Sequence, residues 1–490
     1  MTRKMSWVLN TLFAFLAFVY VAFFLFVALN RLGYPFELEW VEGGILLEAE
    51  RILAGSPLYV EPSPAYVPFI YPPLYFYAVA AVSAFLGAGF TALRVVSLVS
   101  TLLTFLLLGV WVWKETRRIL PVLVAVAFYA GTYPLSGTWF DVGRVDSLFL
   151  MWVLLAGLIL RFSRGVLGGI AAGVVLSVAF FTKQTTLSMA LPLLVYALFS
   201  SRLSARVFLI TFVGVTSVAV AIASLLTHGW FVYYVFYLPS HFHVLPSRLW
   251  RFWKVNMLAY VGMAFWAYLL LMLWDAVDRR WERFGLYTAL FVGMVGSAWL
   301  SWAHLGGWAN DLMPAHALLA IGFGVAIAEW EKRFKQESLK IALQVLVLLQ
   351  LLTLVYSPRA YMPRPKDLTA GENLVQRLRA VDGEVFIPFH PYLAERAGKS
   401  ASAHVGAVAD VVRGDPNGLG IPLRTAIRQA IRDRVYKIIV LDTPGRVFLD
   451  EDTERLVHDY YRGPLPVFKD RDVFFPVTGW RTRPERLYRR

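Results

Sequence analysis

The chain has 490 residues, of which 58% are hydrophobic, 16% are aromatic and only 16% are charged. With a mean hydropathy of +0.58, it carries more apolar surface than one soluble core can bury, so the composition excludes a soluble protein and indicates a polytopic membrane protein. The formal charge of +14 does not indicate a nucleic-acid partner, because lysine and arginine form short clusters between apolar runs. Cysteine is absent, which excludes disulfides and thiolate metal sites.

Long apolar runs predict the membrane helices. Runs of about 20 residues cross a bilayer as a helix, and we expect eleven, roughly at 7–29, 91–113, 119–137, 146–162, 165–182, 185–200, 207–227, 257–275, 285–303, 314–330 and 341–356. The first run is too long for a signal peptide and lacks a convincing small-residue cleavage site, so it is predicted to stay as a helix. Basic residues mark the N-terminus and the turn after every second run. This pattern predicts a multi-pass protein of the plasma (inner) membrane with a cytoplasmic N-terminus.

The apolar segment from Pro73 to Leu86 is not counted as a span. Counting it would place the basic cluster Lys114–Arg118 outside the membrane and would invert every later loop, against the preference for basic residues inside. We expect it to lie flat on the outer surface as an interfacial helix, preceded by another at about Gly43 to Leu53. The first outer loop, residues 33–90, is therefore predicted to be long and structured.

Ionisable residues collect in the predicted outer loops. Such residues at the end of a membrane helix are functional candidates by default. The candidates are Glu37, Glu39 and Glu42 in the first outer loop, Asp141, Arg144 and Asp146 in the second, Lys183 in the third, and Arg248, Arg251 and Lys254 in the fourth. The fourth loop is the one that breaks the inside-positive pattern, and a fifth supplies Asn310 and Asp311.

Past Pro358 the composition becomes that of an ordinary soluble protein. Glu384 to Phe389 is predicted to form a strand, Leu423 to Arg434 an amphipathic helix and Tyr436 to Leu441 a buried strand, which together indicate a small α/β domain. No glycine-rich phosphate fingerprint follows either strand, so nucleotide binding is not predicted there. We expect a transmembrane domain over 1–357 and an extracytoplasmic α/β domain over 358–490.

Carboxylates at an outer membrane surface suit sugar transfer. The reaction needs a base that takes the proton of the acceptor, or a metal that offsets charge on the leaving phosphate, and Asp or Glu can supply either. Nucleotide sugars are not available outside the membrane, so the donor would be a lipid-linked sugar phosphate. Its phosphate would lie at the interface, where lysine and arginine can pair with it.

Several stretches resemble the GT-C glycosyltransferases, and among them the family 39-type proteins related to protein mannosyltransferases and lipid A aminoarabinose transferase. These are the acidic first outer loop, the stretch Gly55 to Tyr75, the acid-Arg-acid second loop and the FFTKQT turn at Phe180 to Thr185. The resemblance implies a polyprenyl-phosphate sugar donor, a site at the outer face and a first-loop acid as base or metal ligand. The usual Asp-Glu or Asp-Asp pair is replaced here by Glu39-Trp-Val-Glu42.

These arguments assign candidate roles. Glu39, Glu42 and Asp141 are the predicted catalytic residues, and they would also be the ligands if the enzyme uses a divalent metal such as Mg or Mn. The predicted substrate-binding residues are Asp146, Arg144, Lys183, Gln184, Tyr71, Arg248 and Arg251. Each has a structural alternative: the acids could be solvated or could form a clamp with Arg144, and Lys183 could simply extend to the interface.

The predicted function is transfer of a sugar from a polyprenyl-phosphate donor to a lipid, glycan or protein acceptor at the outer face. A transporter or flippase for a lipid-linked glycan is the alternative, but it should carry charged or broken helices near the membrane midplane. A non-catalytic scaffold is a third possibility. Substitution of Glu39 and Glu42 by Gln separates an enzyme, which would lose transfer, from a scaffold, which would be indifferent.

Overall fold

The computed structural model describes residues 2–443 and 450–490. The apolar part of the chain is helical, and its first helices correspond to the apolar runs of the sequence. They are α1 (Thr2–Leu32), α2 (Glu42–Leu53), α3 (Leu74–Leu86), α4 (Phe90–Thr116), α5 (Ile119–Gly131), α6 (Asp146–Phe162), α7 (Val166–Thr182), α8 (Thr186–Phe199) and α9 (Leu203–Leu226). Helices α2 and α3 are the two helices predicted in the first outer loop.

The helices that follow are interrupted by wider turns. Helix α10 (Trp230–Val232) continues through a π-helical stretch into α11 (Leu238–Ser240), and α12 (Pro246–Arg251) runs into a second such stretch before α13 (Gly262–Val277). The later elements are α14 (Trp281–Leu290), a π-helical stretch (Phe291–Val295), α15 (Gly296–Ala303), α16 (Met313–Arg333) and α17 (Glu337–Leu352). Inserted π turns of this kind are rare and occur often near functional sites.

Five helices of the described residues are long and apolar enough to cross a bilayer, or six if the pair Pro246–Ala259 and Gly262–Val277, bent by 92°, is counted as one span. Helices of this length and composition are those of an integral membrane protein. Helices α5 and α8 have only 13 and 14 residues, about 20 Å at 1.5 Å per residue, which is less than the ~30 Å hydrocarbon thickness. The count of eleven spans therefore stays a prediction.

The C-terminal region contains a small mixed sheet flanked by helices. Its elements are α18 (Pro365–Arg379), β1 (Val385–Phe386), α19 (Tyr392–Arg396), α20 (Val405–Gly414), α21 (Gly420–Arg432), β2 (Ile438–Asp442), α22 (Glu451–Tyr460), β3 (Arg462–Pro466) and β4 (Pro484–Arg489). The strand order is β1-β2-β4-β3, with β1 and β2 parallel and the other pairs antiparallel. The predicted strand at 384–389 is limited to two residues, and the strand predicted at 436–441 is β2.

The buried apolar residues form two cores. One lies between the membrane helices, with Tyr20, Phe24 and Phe128 fully buried in it. The other joins the first outer loop to the C-terminal region, because Ile45 of α2 and Ile439 of β2 belong to the same cluster. The C-terminal region thus shares this core with the first outer loop. The domain boundary after residue 357 stays a prediction. We call these two segments, residues 33–90 and 358–490, the outer unit.

Candidate functional site

Glu39 and Arg144 form the centre of a buried polar network. Arg144 lies in the loop between α5 and α6, and its Nη1 donates to Glu39 Oε2 at 2.8 Å while its Nη2 donates to the Tyr71 hydroxyl at 2.9 Å. Glu39 is only 1% exposed. Burial raises the pKa of Glu39 to about 7 against the opposing charge of Arg144. This carboxyl therefore changes its protonation state near neutral pH, as a general base should.

The end of the chain covers Glu39. A Cβ at Gly479 would lie 2.7 Å from Glu39 Cγ, and the φ of Gly479 is +75°, so glycine allows this close approach. The neighbouring Thr478 donates its N–H to the Leu38 carbonyl at 3.1 Å. The C-terminal region is therefore part of the wall around the network.

A second group of charges lies beside the first. Lys183, in the turn between α7 and α8, donates from Nζ to Asp146 Oδ1 at 2.7 Å and to Asp311 Oδ1 at 3.3 Å. Asn310 also donates to Asp146 Oδ1, at 2.9 Å. Burial raises the pKa of Tyr71, and the charges of Arg144, Lys183 and Asp146 also act on it, so Tyr71 is near both groups.

Three buried atoms of the network have no hydrogen-bond partner among the described residues: Arg144 Nε, Asp146 Oδ2 and Gln184 Oε1. The Gln184 amide nitrogen is used, since it donates to the Ile70 carbonyl at 2.9 Å. Buried polar atoms are nearly always bonded, and each exception requires an explanation such as a water or a ligand. These three atoms, one donor and two acceptors, indicate where a polar ligand can bind. Of the residues that carry these atoms, Asp146 also lines a small cavity, together with Lys183 and Asn310.

Both carboxylate oxygens of Glu42 accept hydrogen bonds from groups of the protein. Its two oxygens accept from Arg94 Nε and Nη2 at 3.2 and 2.8 Å, from the Gly143 N–H at 2.6 Å and from the Leu38 N–H at 2.7 Å. Arg94 also donates to backbone carbonyls of the first outer loop, including that of Phe36 at 2.6 Å. Burial disfavours the ionised carboxyl, but Arg94 and these N–H groups hold the pKa of Glu42 below its usual value. The carboxylate is thus committed to joining α4 to both outer loops.

Asp141 is also committed to partners within the protein. It accepts from the Tyr133 hydroxyl at 2.7 Å and lies 3.2 Å from Arg31 Nε. Arg31, at the end of α1, donates to the same hydroxyl at 2.8 Å. Asp141 is 2% exposed and forms a triad with Arg31 and Tyr133.

The predicted metal set of Glu39, Glu42 and Asp141 does not fit the structure. Each carboxylate is neutralised by a different arginine, namely Arg144, Arg94 and Arg31. Within residues 2–443 and 450–490, no group of three or more potential ligands could hold a metal ion. A metal held by these three acids stays a prediction, because loop position shows which acids lie on one face of the membrane but not which arginines lie beside them.

The structure does not link the fourth-loop cations to the network. Arg248 Nη1 donates to the carbonyls of Gly307, Trp302 and His304 at 2.8, 3.3 and 3.3 Å. Its guanidinium thus holds the turn after α15. Arg251 is exposed, and no ion pair of Arg251 occurs within the part of the chain that the structure describes. Donor binding by these two arginines stays a prediction.

Several residues that contact the predicted site residues are not among the candidates from the sequence. Arg31 and Arg94 interrupt apolar runs, and an isolated charge in such a run is a signal that could have identified them. The sequence places Asp311 in the fifth outer loop but does not indicate its contact with Lys183. Asp410 on α20 is half-buried, and its charge and that of Arg144 act on each other. No sequence signal connects Asp410 to a loop so distant along the chain.

A buried histidine joins the two parts of the outer unit. His390 lies between Glu37 Oε2 at 2.5 Å and Asp442 Oδ2 at 2.8 Å. Burial alone would lower the pKa of His390, but Asp442 and Glu37 raise it to about 10. The imidazolium therefore connects the first outer loop to the end of β2. This gives Glu37 a structural partner and leaves Glu39 as the first-loop acid next to the unpaired atoms.

Comparison with known proteins identifies the architecture. No family model matches the chain, and no curated protein matches it. The solved structure of ArnT from Cupriavidus metallidurans bound to undecaprenyl phosphate superposes with a TM-score of 0.60 at 13% identity, covering 96% of this chain and 97% of that one. The archaeal oligosaccharyltransferase AglB from Archaeoglobus fulgidus, in complex with an inhibitory peptide and a dolichol-phosphate, gives 0.52 at 12% identity, with 91% and 72% covered.

Both of these proteins are GT-C glycosyltransferases. The chain has the GT-C fold. This confirms the fold predicted from the resemblance, over nearly the whole length of the chain. A third structure, the Archaeoglobus AglB complex with Zn and sulfate, has a TM-score of 0.52 at 12% identity and covers 92% of this GT-C chain and 71% of its own.

Proposed function

We propose that the protein is a glycosyltransferase of the plasma (inner) membrane that transfers a hexosyl or pentosyl group from a polyprenyl-phosphate-linked donor to an acceptor at the outer face. The observation that carries this proposal is the carboxyl of Glu39, which titrates near neutrality and is held by Arg144 beside a lysine and three unpaired polar atoms. The similar structures contain undecaprenyl phosphate or dolichol-phosphate, and a donor of this class agrees with them.

In the proposed reaction, the ionised Glu39 accepts the proton of an acceptor hydroxyl or amine. The acceptor atom attacks the anomeric carbon as the bond from that carbon to the phosphate oxygen breaks. Lys183 and Arg144 pair with the phosphate as its charge grows. The products are the glycosylated acceptor, polyprenyl phosphate and a protonated Glu39, which releases its proton to water.

The remaining predicted residues receive supporting roles. Asp146 and Asp311 position Lys183, and Gln184 and Tyr71 connect the third turn and Arg144 to the first outer loop. Glu42 and Asp141 stabilise the loops through Arg94 and Arg31 and do not take the proton. Arg248 shapes the turn after α15, and the exposed Arg251 attracts anionic lipid headgroups.

The proposed topology has a cytoplasmic N-terminus, eleven spans that include the shorter helices, and the C-terminal region on the outer side. It places the Glu39 network at the outer end of the bundle, where a lipid-linked donor presents its phosphate. A transporter would instead need a polar path through the bundle, and the acids of the Glu39 network lie together at one end of it.

The test is complementation of a deletion strain. Glu39→Gln keeps an oxygen that can accept from Arg144 but cannot take a proton, so we expect transfer to fall by about 10²- to 10⁴-fold while the amount of protein in the membrane is unchanged. Glu61→Gln, at an exposed glutamate of the same loop, is the matched control. The readout is mass spectrometry of lipid-linked sugars and surface glycans. Wild-type glycans with Glu39→Gln would contradict the proposal.

A further inference from the structure

The outer unit contains a second cleft, distinct from the Glu39 network. It has a volume of about 390 Å³ and lies between α2, the segment that precedes α3, and the segment that leads into α20. His404 separates it from the network: this residue lines the cleft, and its Nε2 lies 3.2 Å from the carbonyl oxygen of Trp40, the residue after Glu39. The volume is within the range of small-molecule sites, about 300–1,000 Å³.

Polar side chains point into this cleft without partners. Glu48 is 1% exposed; its Oε1 accepts from the Phe69 N–H at 2.6 Å, but its buried Oε2 has no partner among the described residues. Ser402 is 8% exposed, and its Oγ is buried and equally unpaired within that part of the chain. The same is true of Glu50 Oε2. Such atoms cost stability unless something bonds to them.

The cations of the cleft each make one hydrogen bond within the protein. Arg51 donates from Nε to the Pro57 carbonyl at 2.7 Å and lies 4.1 Å above the Tyr66 ring. Lys399 Nζ donates to the Val381 carbonyl at 2.6 Å. The remaining N–H groups of both side chains can donate to the hydroxyl oxygens of a ligand.

Two acids of the cleft, Glu48 and Glu50, have raised pKa values. Burial raises the pKa of Glu48 well above its usual value, and burial together with Glu395 raises that of Glu50 to about 8. Burial thus favours the protonated form of both carboxyls, and a protonated carboxyl can donate as well as accept a hydrogen bond. These two carboxyls and the Ser402 hydroxyl can therefore bond to the hydroxyl groups of a ligand.

We propose that this cleft binds a neutral, hydroxyl-rich carbohydrate chain, and that this chain is part of the acceptor. The second half of the proposal rests on the proposed function. A saccharide offers closely spaced hydroxyls that can satisfy Glu48, Glu50 and Ser402 at once. Since His404 lines the cleft and contacts the carbonyl oxygen of Trp40, the residue after Glu39, a glycan bound here can extend its end toward the base.

Binding is tested on the full chain in lipid nanodiscs, without donor, by saturation-transfer NMR with maltohexaose and mannohexaose, and with spermidine as a cationic probe. Ala65 is exposed at the edge of the cleft, so Ala65→Trp blocks the entrance with little effect on the core. We expect at least a 10-fold loss of oligosaccharide binding. Ala426→Trp, at an exposed position of α21 away from the cleft, should bind as the wild type does.

Glu48→Gln provides a second variant that keeps the bond to the Phe69 N–H. It changes the unpaired atom of Glu48 from a hydroxyl or oxygen to an amide nitrogen, and we expect affinity to fall by about 2- to 10-fold, the effect of one hydrogen bond. Glu372→Gln, at an exposed glutamate of α18, is the control. The binding proposal is overturned if neither oligosaccharide binds, if Ala65→Trp and Ala426→Trp bind equally, or if spermidine displaces the oligosaccharide.

The acceptor role is tested separately. If the cleft holds the acceptor, Ala65→Trp raises the KM for the acceptor while the binding of the lipid-linked donor is unchanged. Oligosaccharide binding with an unchanged KM would overturn the acceptor role but leave the binding site. Absence of any transfer by the wild type would contradict the proposed function, and it would not affect the binding result.

Discussion

Charges are buried at both ends of the helical bundle, but the two groups differ in what they leave unpaired. Helix α4 carries Arg94 in its first turn and Glu115 in its last. At the second end lies a group that we call the distal cluster: Glu115, Arg161, Asp275, Arg283 and Glu329. No buried side-chain atom of these residues lacks a partner in the described chain, whereas the Glu39 network leaves Arg144 Nε, Asp146 Oδ2 and Gln184 Oε1 unpaired.

This difference separates a structural ion cluster from a binding site. Arg283 donates from Nε to Asp275 at 2.7 Å and lies 3.4 and 3.6 Å from oxygens of Glu329 and Glu115, so its charge is fully used inside the protein. Burial and ion pairing alone do not identify catalytic residues, because the distal cluster shows both. The atoms left without partners do distinguish the two ends.

The largest expected effect on stability is at the distal cluster. Arg283→Met removes the cation that faces the fully buried Asp275, and breaking a buried pair in this way costs about 3–5 kcal/mol. We expect a lower Tm of the detergent-solubilised protein but unchanged transfer per folded molecule. Lys335→Met, at an exposed lysine, should leave Tm as it is. Normal stability of Arg283→Met would show that the distal cluster is not a structural clamp.

At Lys183 we expect a small effect on stability and a large effect on transfer. In Lys183→Gln the amide can still donate to Asp146, which also keeps its bond from Asn310, so Tm should fall less than in Arg283→Met. The lost charge can no longer pair with the donor phosphate, and we expect transfer to fall by about 10- to 100-fold, since hydrogen bonds to charged groups contribute about 1.5–3 kcal/mol. Initial rates with saturating acceptor measure this, and Lys335→Gln, at an exposed lysine, is the control. Equal rates for the two variants would exclude the proposed role.

The pH dependence of transfer tests Glu39 directly. Burial raises its pKa from 4.5 to about 7, so the rate should rise with pH through about 7 as the base becomes ionised. The same shift makes the folded protein hold a proton that the unfolded chain loses. The contribution of Glu39 to stability is thus complete below about pH 4.5 and is lost as pH rises through about 7.

The charge of Arg144 should set the pH at which the transfer rate rises, the rising limb of the pH profile. Its positive charge favours the ionised Glu39, so Arg144→Gln should move the limb to higher pH, by about 1–3 units for the loss of an adjacent opposite charge. The measurement is the initial rate across the neutral pH range, normalised to each variant's own maximum. A limb that stays near pH 7 in Arg144→Gln would show that a group other than Glu39 is the base.

The sequence predicted the GT-C architecture but not how the candidate site residues pair with one another. Long apolar runs and the first-loop helices follow from hydrophobic length and proline placement, which are local properties. The pairing of Glu39 and Glu42 with different arginines is not a local property. It depends on Arg144 from one loop and Arg94 from a helix, both distant along the chain. The link from His390 to Glu37 could not be predicted either, because it requires the docking of the C-terminal region onto the first loop.

The smallest effect is expected from metal removal. A divalent ion bound by Glu39, Glu42 and Asp141 would have to displace three arginines, each in a buried ion pair whose loss leaves an uncompensated charge. We therefore expect transfer to persist when EDTA is added to the purified protein in nanodiscs, with heat-treated protein as the zero-rate control. A loss of transfer that Mg or Mn restores would show that these pairs open during the reaction. The ion pairs of the Glu39 network would then resemble those of the distal cluster only before the reaction begins. The separation of Arg144 from Glu39 would be the step to measure next.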